Sequence, residues 1–389
     1  MSTFKQPPHK LLVIPGPIEV SDEVLYANAL PPLAHAGADF IPIMGDAIRM
    51  TREVVFTKTG QPFLIAGSGT LGWDEVAANL IEPGEDALLL NCGYFGEAFA
   101  DCLRSYGANV DELHAEFGKA VPQYELEAAL KAKKYKLVCF THVDTSTAVL
   151  SDAKMVGEVC KRLAPESLVI LDGVCSVASE EIRMDDWNID VVVSASQKGL
   201  GAPPGISVVV ASQKALKVSQ ERKAPVAGYY SSWKRWLPIM QAYEAGKPSY
   251  FATPPTNLIV SYRQALLEIL RNPKLSLEER FKAHIEAAER IRNTAKELGL
   301  SLVPSDPHTT ANGLTAIWLP EGLAPSDVVG RMAQKGIVVT GGIHKVYKDK
   351  YFRIGHMGVS VVQPERGDLD KVITGLKESL ADAKASKNA

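Results

Sequence analysis

Through the first half of the chain, short apolar runs alternate with amphipathic stretches. Phe63–Ala66, Ala87–Leu90, Leu137–Thr141, Leu168–Leu171, Val191–Ala195 and Ile206–Ala211 are apolar at consecutive positions and mostly β-branched or leucine-rich. That is the pattern of strands buried on both faces. Between most of them, apolar positions recur at helical spacing, which predicts helices near Thr70–Ile81, Phe95–Tyr106, Gln123–Ala132 and Asp152–Leu163. The β-α-β rhythm predicts an α/β fold with a mostly parallel central sheet covered by helices, its core within roughly residues 60–215.

The texture then changes. Helical pattern dominates from Thr256 to Leu298, and Ser276-x-x-Glu279 has the form of a capping box. Short strands at Leu300–Val303, Gly313–Leu319, Ile337–Thr340 and Tyr351–Ile354, a helix near Pro325–Lys335 and a final helix read as a smaller α+β unit. Three parts are expected: an N-terminal arm (1–19) containing Pro15-Gly16-Pro17, a large domain (20–260) and a small C-terminal domain (261–389). No Gly/Ser-rich linker separates them, so they are expected to pack together. The last few residues read as a frayed polar tail.

Composition narrows the classes. With 42 basic and 45 acidic side chains, the net charge of −3 offers no electrostatic excess for nucleic acid. Five cysteines form no C-x-x-C pair and read as buried small side chains, and the scattered histidines match no zinc spacing. No apolar run approaches the roughly 20 residues of a membrane span. The first ten residues lack a signal-like apolar stretch, and the final Ser-Lys-Asn-Ala differs from a Ser-Lys-Leu ending. The cytosol is the expected compartment, with mitochondrion and peroxisome left open.

Two constellations carry the candidate chemistry. Gly67-Ser68-Gly69-Thr70-Leu71-Gly72 follows an apolar strand and opens a helix, matching G-x-G-x-x-G. The acidic residue a dinucleotide site needs about 20 positions on is absent; the next strand ends in Asn91-Cys92-Gly93. What remains is an anion site at a helix N-terminus, suited to one phosphate. The second constellation is Asp172 at the end of one strand and Ser196-Gln197-Lys198 at the end of the next, one β-α-β step away. A lysine beside apolar strand ends can become a competent amine, and an aspartate there can hold a pyridinium nitrogen protonated. Phosphate loop, acid and lysine together meet the requirements of pyridoxal 5'-phosphate.

Six ordered blocks extend this. They are Leu12-x-x-Pro15-Gly16-Pro17, Ala66 to Trp73, Thr141-His142-Val143-Asp144-Thr145-Ser146-Thr147, Ser194-Ala195-Ser196-Gln197-Lys198, Tyr250-Phe251-Ala252-Thr253-Pro254-Pro255 and Arg353-Ile354-Gly355-His356-Met357-Gly358. From about Leu11 to Leu369 the chain resembles the fold-type I, pyridoxal phosphate-dependent aminotransferases of the alanine–glyoxylate and serine–pyruvate group, its fungal members most of all.

The resemblance implies that Lys198 is the Schiff-base lysine and that Asp172 pairs with the ring nitrogen. Ser68, Gly69, Thr70 and Gln197 would cradle the phosphate. Phe95 stands where mammalian members carry a stacking Trp, Val174 would pack on the other ring face, and Thr145 would bond near the 3-hydroxyl. Tyr250 and Thr253 would reach the phosphate of a neighbouring subunit, making the site a property of a homodimer. Arg353 would clamp the substrate carboxylate, with Gly16 beside the substrate. The implied reaction moves the amino group of L-alanine to glyoxylate by a ping-pong route, giving pyruvate and glycine; serine–pyruvate or another small amino acid–2-oxo acid pair is the alternative. Two further readings stay open: an NAD-dependent oxidoreductase using Gly67–Gly72, and a non-catalytic scaffold.

Overall fold

The computed structural model describes residues 4–388, so Met1–Thr3 of the expected arm and Ala389 of the expected tail lie outside it. Seven strands form the central sheet in the order Gln61–Ala66, Ile206–Ala211, Val191–Ala195, Leu168–Asp172, Leu137–Thr141, Asp86–Asn91, Asn109–His114. Ile206–Ala211 runs antiparallel to both neighbours, and every other pairing is parallel. All six apolar runs are strands of this sheet. The seventh, Asn109–His114, is an edge strand whose polar residues hide it from a search for apolar runs.

The parallel strands deliver their carboxyl ends to one edge, where ligands bind in open α/β sheets. Gly67-Ser68, Asn91-Cys92-Gly93, Thr141-His142, Asp172-Gly173 and Ser196-Gln197-Lys198 all leave the sheet there. Helices Gly69–Leu80, Tyr94–Ser105, Gln123–Ala132 and Ala153–Leu163 make the returns. Gly72 lets the first lie close on the sheet: a Cβ there would stand 2.4 Å from Val193 Cγ1 and 3.2 Å from Val209 Cγ2.

The C-terminal part builds an antiparallel sheet of Leu314–Trp318, Tyr351–Gly355 and Thr340–Gly341. Ile337–Val338 turns away from that sheet and pairs in parallel with Leu11–Leu12, so the expected strand Ile337–Thr340 is split. Leu300–Val303 contributes only an isolated bridge, Leu302 to Ile317. The long helical stretch is two helices, Thr256–Leu270 and Leu277–Glu297. Pro273 falls in the gap, and the capping box of Ser276 and Glu279 starts the second helix. The Ala- and Lys-rich tail is the end of helix Asp368–Asn388.

Three apolar clusters hold these parts. The largest fills both faces of the central sheet, and a second lies under the small sheet. The third joins Ile18, Val143, Cys175, Leu314, Tyr351 and Met357, bridging the N-terminal segment, the carboxyl edge and the small sheet. Among the described residues no helix is long and apolar enough to cross a membrane, and all five cysteines are free. Gly72→Ala should overpack the helix–sheet contact and cost about 1–3 kcal/mol, measured by denaturant unfolding of the cofactor-free protein.

Candidate active site

The glycine loop opens helix Gly69–Leu80. Ser68 is its N-cap, extended at φ −90° and ψ 174°, and makes no capping bond with its own side chain. The Ser68 and Thr70 side chains are exposed at a helix terminus whose first N–H groups lack intrahelical acceptors. Gly69 allows the loop to sit on the neighbouring strand ends, since a Cβ would lie 2.8 Å from Val174 Cγ2 and 3.4 Å from Ala195 Cβ. Nearby, Gln197 Oε1 is buried without a hydrogen-bond partner, an unusual cost unless a ligand supplies a donor.

Asp172 ends its strand fully buried, each carboxylate oxygen receiving one bond. The Val174 N–H donates to Oδ1 at 2.9 Å, and the Trp73 indole N–H donates to Oδ2 at 3.0 Å. Burial pushes its pKa up to about 6; the two donors and the Lys198 charge pull the other way. Lys198 donates from Nζ to the Pro15 carbonyl at 2.6 Å. Gly16 is required at that contact: its φ is +120°, and a Cβ would stand 2.2 Å from Lys198 Cδ. Burial, the largest influence, holds the Lys198 ammonium below its ordinary pKa, and the Arg353 charge adds to the effect.

Phe95 is placed by helix Tyr94–Ser105, whose start is capped from a distance. Asp144 Oδ2 accepts from the N–H groups of Phe95 and Gly96, both at 3.2 Å, while Oδ1 accepts from the Ser146 N–H and hydroxyl at 2.9 and 2.6 Å. Arg353, on the small sheet, donates from Nε to the Gly341 carbonyl (2.9 Å) and from Nη1 to the Thr145 carbonyl (3.1 Å). It is buried and forms no ion pair among the described residues. Burial lowers its pKa, the direction expected for a desolvated cation.

A cavity of about 160 Å³ brings Ser68, Gly69, Thr70, Phe95, Thr145, Asp172, Val174, Gln197 and Lys198 together. Gly16 touches Lys198, and Arg353 holds Thr145 from the small-sheet side. Tyr250 and Thr253 do not line this cavity: both are exposed, with Tyr250 packed on His35 at 5.2 Å between ring centroids. Trp73, Val143 and Cys175 also line the cavity and stand outside the expected site residues. For Trp73 a signal existed. It sits four residues after Gly69, one helical turn along, and so shares the loop's face.

The donor set fits pyridoxal phosphate. Hydroxyls at a helix N-terminus suit a phosphate, a buried carboxylate with two donors suits a protonated ring nitrogen, and a desolvated lysine suits an aldehyde. The Gln197 side chain, whose Oε1 has no partner, keeps hydrogen-bonding capacity at the cavity for such a group.

A family profile described as aminotransferase class-V matches residues 23–358. The alanine–glyoxylate aminotransferase 1 of Saccharomyces cerevisiae is 42% identical over 360 residues, 90% of this chain and 92% of that protein. An L-aspartate–glyoxylate aminotransferase of Paracoccus denitrificans is 30% identical, covering 89% and 86% respectively. The crystal structure of an alanine–glyoxylate aminotransferase from Nostoc sp. superposes with a TM-score of 0.89 at 28% identity, over 97% of this chain and 96% of that one.

The indole–carboxylate bond makes Trp73 a reporter of Asp172. In the cofactor-free protein, the emission difference between wild type and Trp73→Phe should change with a midpoint near pH 6, the carboxyl being neutral below it and ionised above. The transition should vanish in Asp172→Asn; a flat profile in the wild type would remove Asp172 from the groups that titrate there.

Proposed function

The chain belongs to the class-V aminotransferase family, and on that footing we propose that it transfers the amino group of L-alanine to glyoxylate, releasing pyruvate and glycine, with pyridoxal phosphate as cofactor. The observation that carries the reading is the buried Arg353 guanidinium, held by two backbone carbonyls and lacking a carboxylate, close enough for its charge to act on Lys198. A site built this way takes a small amino acid by its carboxylate. The yeast relative supports alanine and glyoxylate as the pair. Among the described residues Lys198 is the one cation lining the cavity, with Arg353 standing behind Thr145, which leaves the second carboxylate of an aspartate donor without a partner.

When bound, pyridoxal phosphate supplies the carbonyl that takes up the amine and a ring that draws electrons from the substrate's Cα–H bond. The chain's residues do the rest. The Gly67–Gly72 loop, with Ser68, Thr70 and Gln197, anchors the phosphate. Asp172 keeps the ring nitrogen protonated, and Trp73 and Val174 N–H keep Asp172 ionised against its burial. Phe95 and Val174 cover the ring and exclude water. Arg353 fixes the substrate carboxylate, so that Cα faces Lys198. There Nζ, its ammonium form disfavoured by burial, takes up the Cα proton of the donor and delivers one to Cα of the acceptor in the return half-reaction.

Residues 20–260 hold the cofactor in this reading, residues 261–389 supply the clamp, and the N-terminal arm closes over Lys198. Tyr250 and Thr253 complete the phosphate site of a second copy, supported by their exposure beside Tyr229 and Phe251. Five free thiols support a reducing compartment, the cytosol.

The purified protein should be yellow, with an absorption band that moves when L-alanine is added; a colourless preparation that gains no band from added cofactor would sink the proposal. Lys198→Ala should abolish the band. In a matrix of donors and acceptors, alanine with glyoxylate should give the highest specific activity, and a preference for aspartate would overturn the substrate reading. Arg353→Lys should raise KM for alanine about tenfold or more, because a lysine cannot present the bidentate fork.

A further inference from the structure

A second buried arginine lies outside the cavity. Arg280 sits near the start of helix Leu277–Glu297, where the helix dipole disfavours a cation, and it has no ion-pair partner among the described residues. Its guanidinium instead joins two loops. Nε donates to the Ala178 carbonyl at 2.8 Å and Nη2 donates to the Gly199 carbonyl at 2.9 Å. Gly199 directly follows Lys198, and Ala178 closes the loop that leaves Asp172. These loops are in close contact, since a Cβ on Gly199 would stand 2.3 Å from the Val177 carbonyl oxygen. Ala178 adopts a φ of 64°, a strained value for a residue with a side chain, and its carbonyl is one of the two that Arg280 holds.

One turn further along the same helix, His284 holds a different segment. The Gly358 N–H donates to His284 Nε2 at 3.2 Å, so that nitrogen accepts and the proton resides on Nδ1, which donates to the Arg280 carbonyl at 2.8 Å. Burial lowers the His284 pKa to about 3, keeping the ring neutral and this bonding pattern fixed at working pH. Gly358 lies five residues after Arg353, at the exit of its strand.

We propose that Arg280 and His284 act together as a positioning bracket that sets Lys198 and Arg353 at a working separation, one residue gripping the lysine turn and the other the exit of the arginine strand. The bracket rests on the assignment of Lys198 and Arg353 made above. It explains why a desolvated cation is retained where a leucine or methionine would pack at lower cost: no apolar side chain can donate to two carbonyls on separate loops. A shift of the two groups relative to each other would move Cα away from Nζ, a displacement to which proton transfer is steeply sensitive.

The test uses the cofactor-loaded enzyme, four single variants and one combined variant, with Lys198→Ala as a control. Arg280→Lys keeps the charge but cannot span both carbonyls, and Arg280→Met removes both bonds. His284→Leu removes the acceptor, while His284→Gln can restore it. Arg280→Lys and Arg280→Met should lower kcat about tenfold or more and shift the pH midpoint of the lysine–cofactor absorption band. His284→Leu should raise KM for alanine about tenfold with cofactor affinity unchanged, and His284→Gln should recover most of the loss. The combined Arg280→Lys, His284→Leu variant should lose less than the product of the single effects, because the first break already frees the pair.

Unchanged kcat, KM and band in folded variants would overturn the bracket, as would independent, multiplicative effects. So would a uniform fall in melting temperature with no separation of KM from kcat. If the Arg280 variants do not fold, the His284 pair decides alone. Lys198→Ala separates this failure from failure of the underlying assignment: persistence of the band in that variant would refute the assignment itself.

Discussion

Taking Lys198, Asp172 and Arg353 out of bulk water costs solvation that none of them recovers in an ion pair among the described residues. Each is held by neutral dipoles: Lys198 by the Pro15 carbonyl, Asp172 by a backbone N–H and an indole, Arg353 by two carbonyls. Had the three paired with one another, each would gain locally and lose its capacity for a ligand. Neutral partners set orientation and leave the formal charge available. The small net charge of −3 has the same sense: in the proposed reading the anions are received by local donors and not by a basic surface.

That arrangement demands close approach of backbone to side chain, and the glycines supply it where the clearances are smallest. Gly16 lets a carbonyl of the N-terminal segment reach Nζ, Gly69 seats the loop against Val174, and Gly72 lets the helix lie on the sheet. The third glycine of a G-x-G-x-x-G loop packs helix on sheet in dinucleotide folds as well. The motif therefore reports a packing geometry shared by different cofactors, and the missing acid at Asn91 is what separates the readings.

Strands were readable because their residues are apolar on both faces, and the strand ends then placed Asp172 and Lys198 on one edge. Helices Phe40–Val54 and Trp233–Glu244 went unread. Each carries a proline, Pro42 in the first turn and Pro238 in the interior, which a local reading takes as a break although packing against neighbours keeps both helical. Side-chain partnerships across the fold were illegible for a different reason. The Trp73 N–H meets its acceptor 99 positions along the chain, and nothing local joins Asp144 to the start of the Phe95 helix. Burial and spacing are properties of a segment, whereas a hydrogen bond between segments belongs to the topology.

The parallel pairing of Leu11–Leu12 with Ile337–Val338 has a consequence for folding. The strand Leu11–Leu12 depends on a partner, Ile337–Val338, that is distant in sequence, and the Pro15 carbonyl that accepts from Lys198 follows that strand by three residues. Without Ile337–Val338 the segment that carries the Pro15 carbonyl lacks the strand pairing that seats it beside Lys198. Orientation of the Lys198 amine therefore rests on a contact between segments far apart in sequence, the kind of non-local pairing that is slow to close.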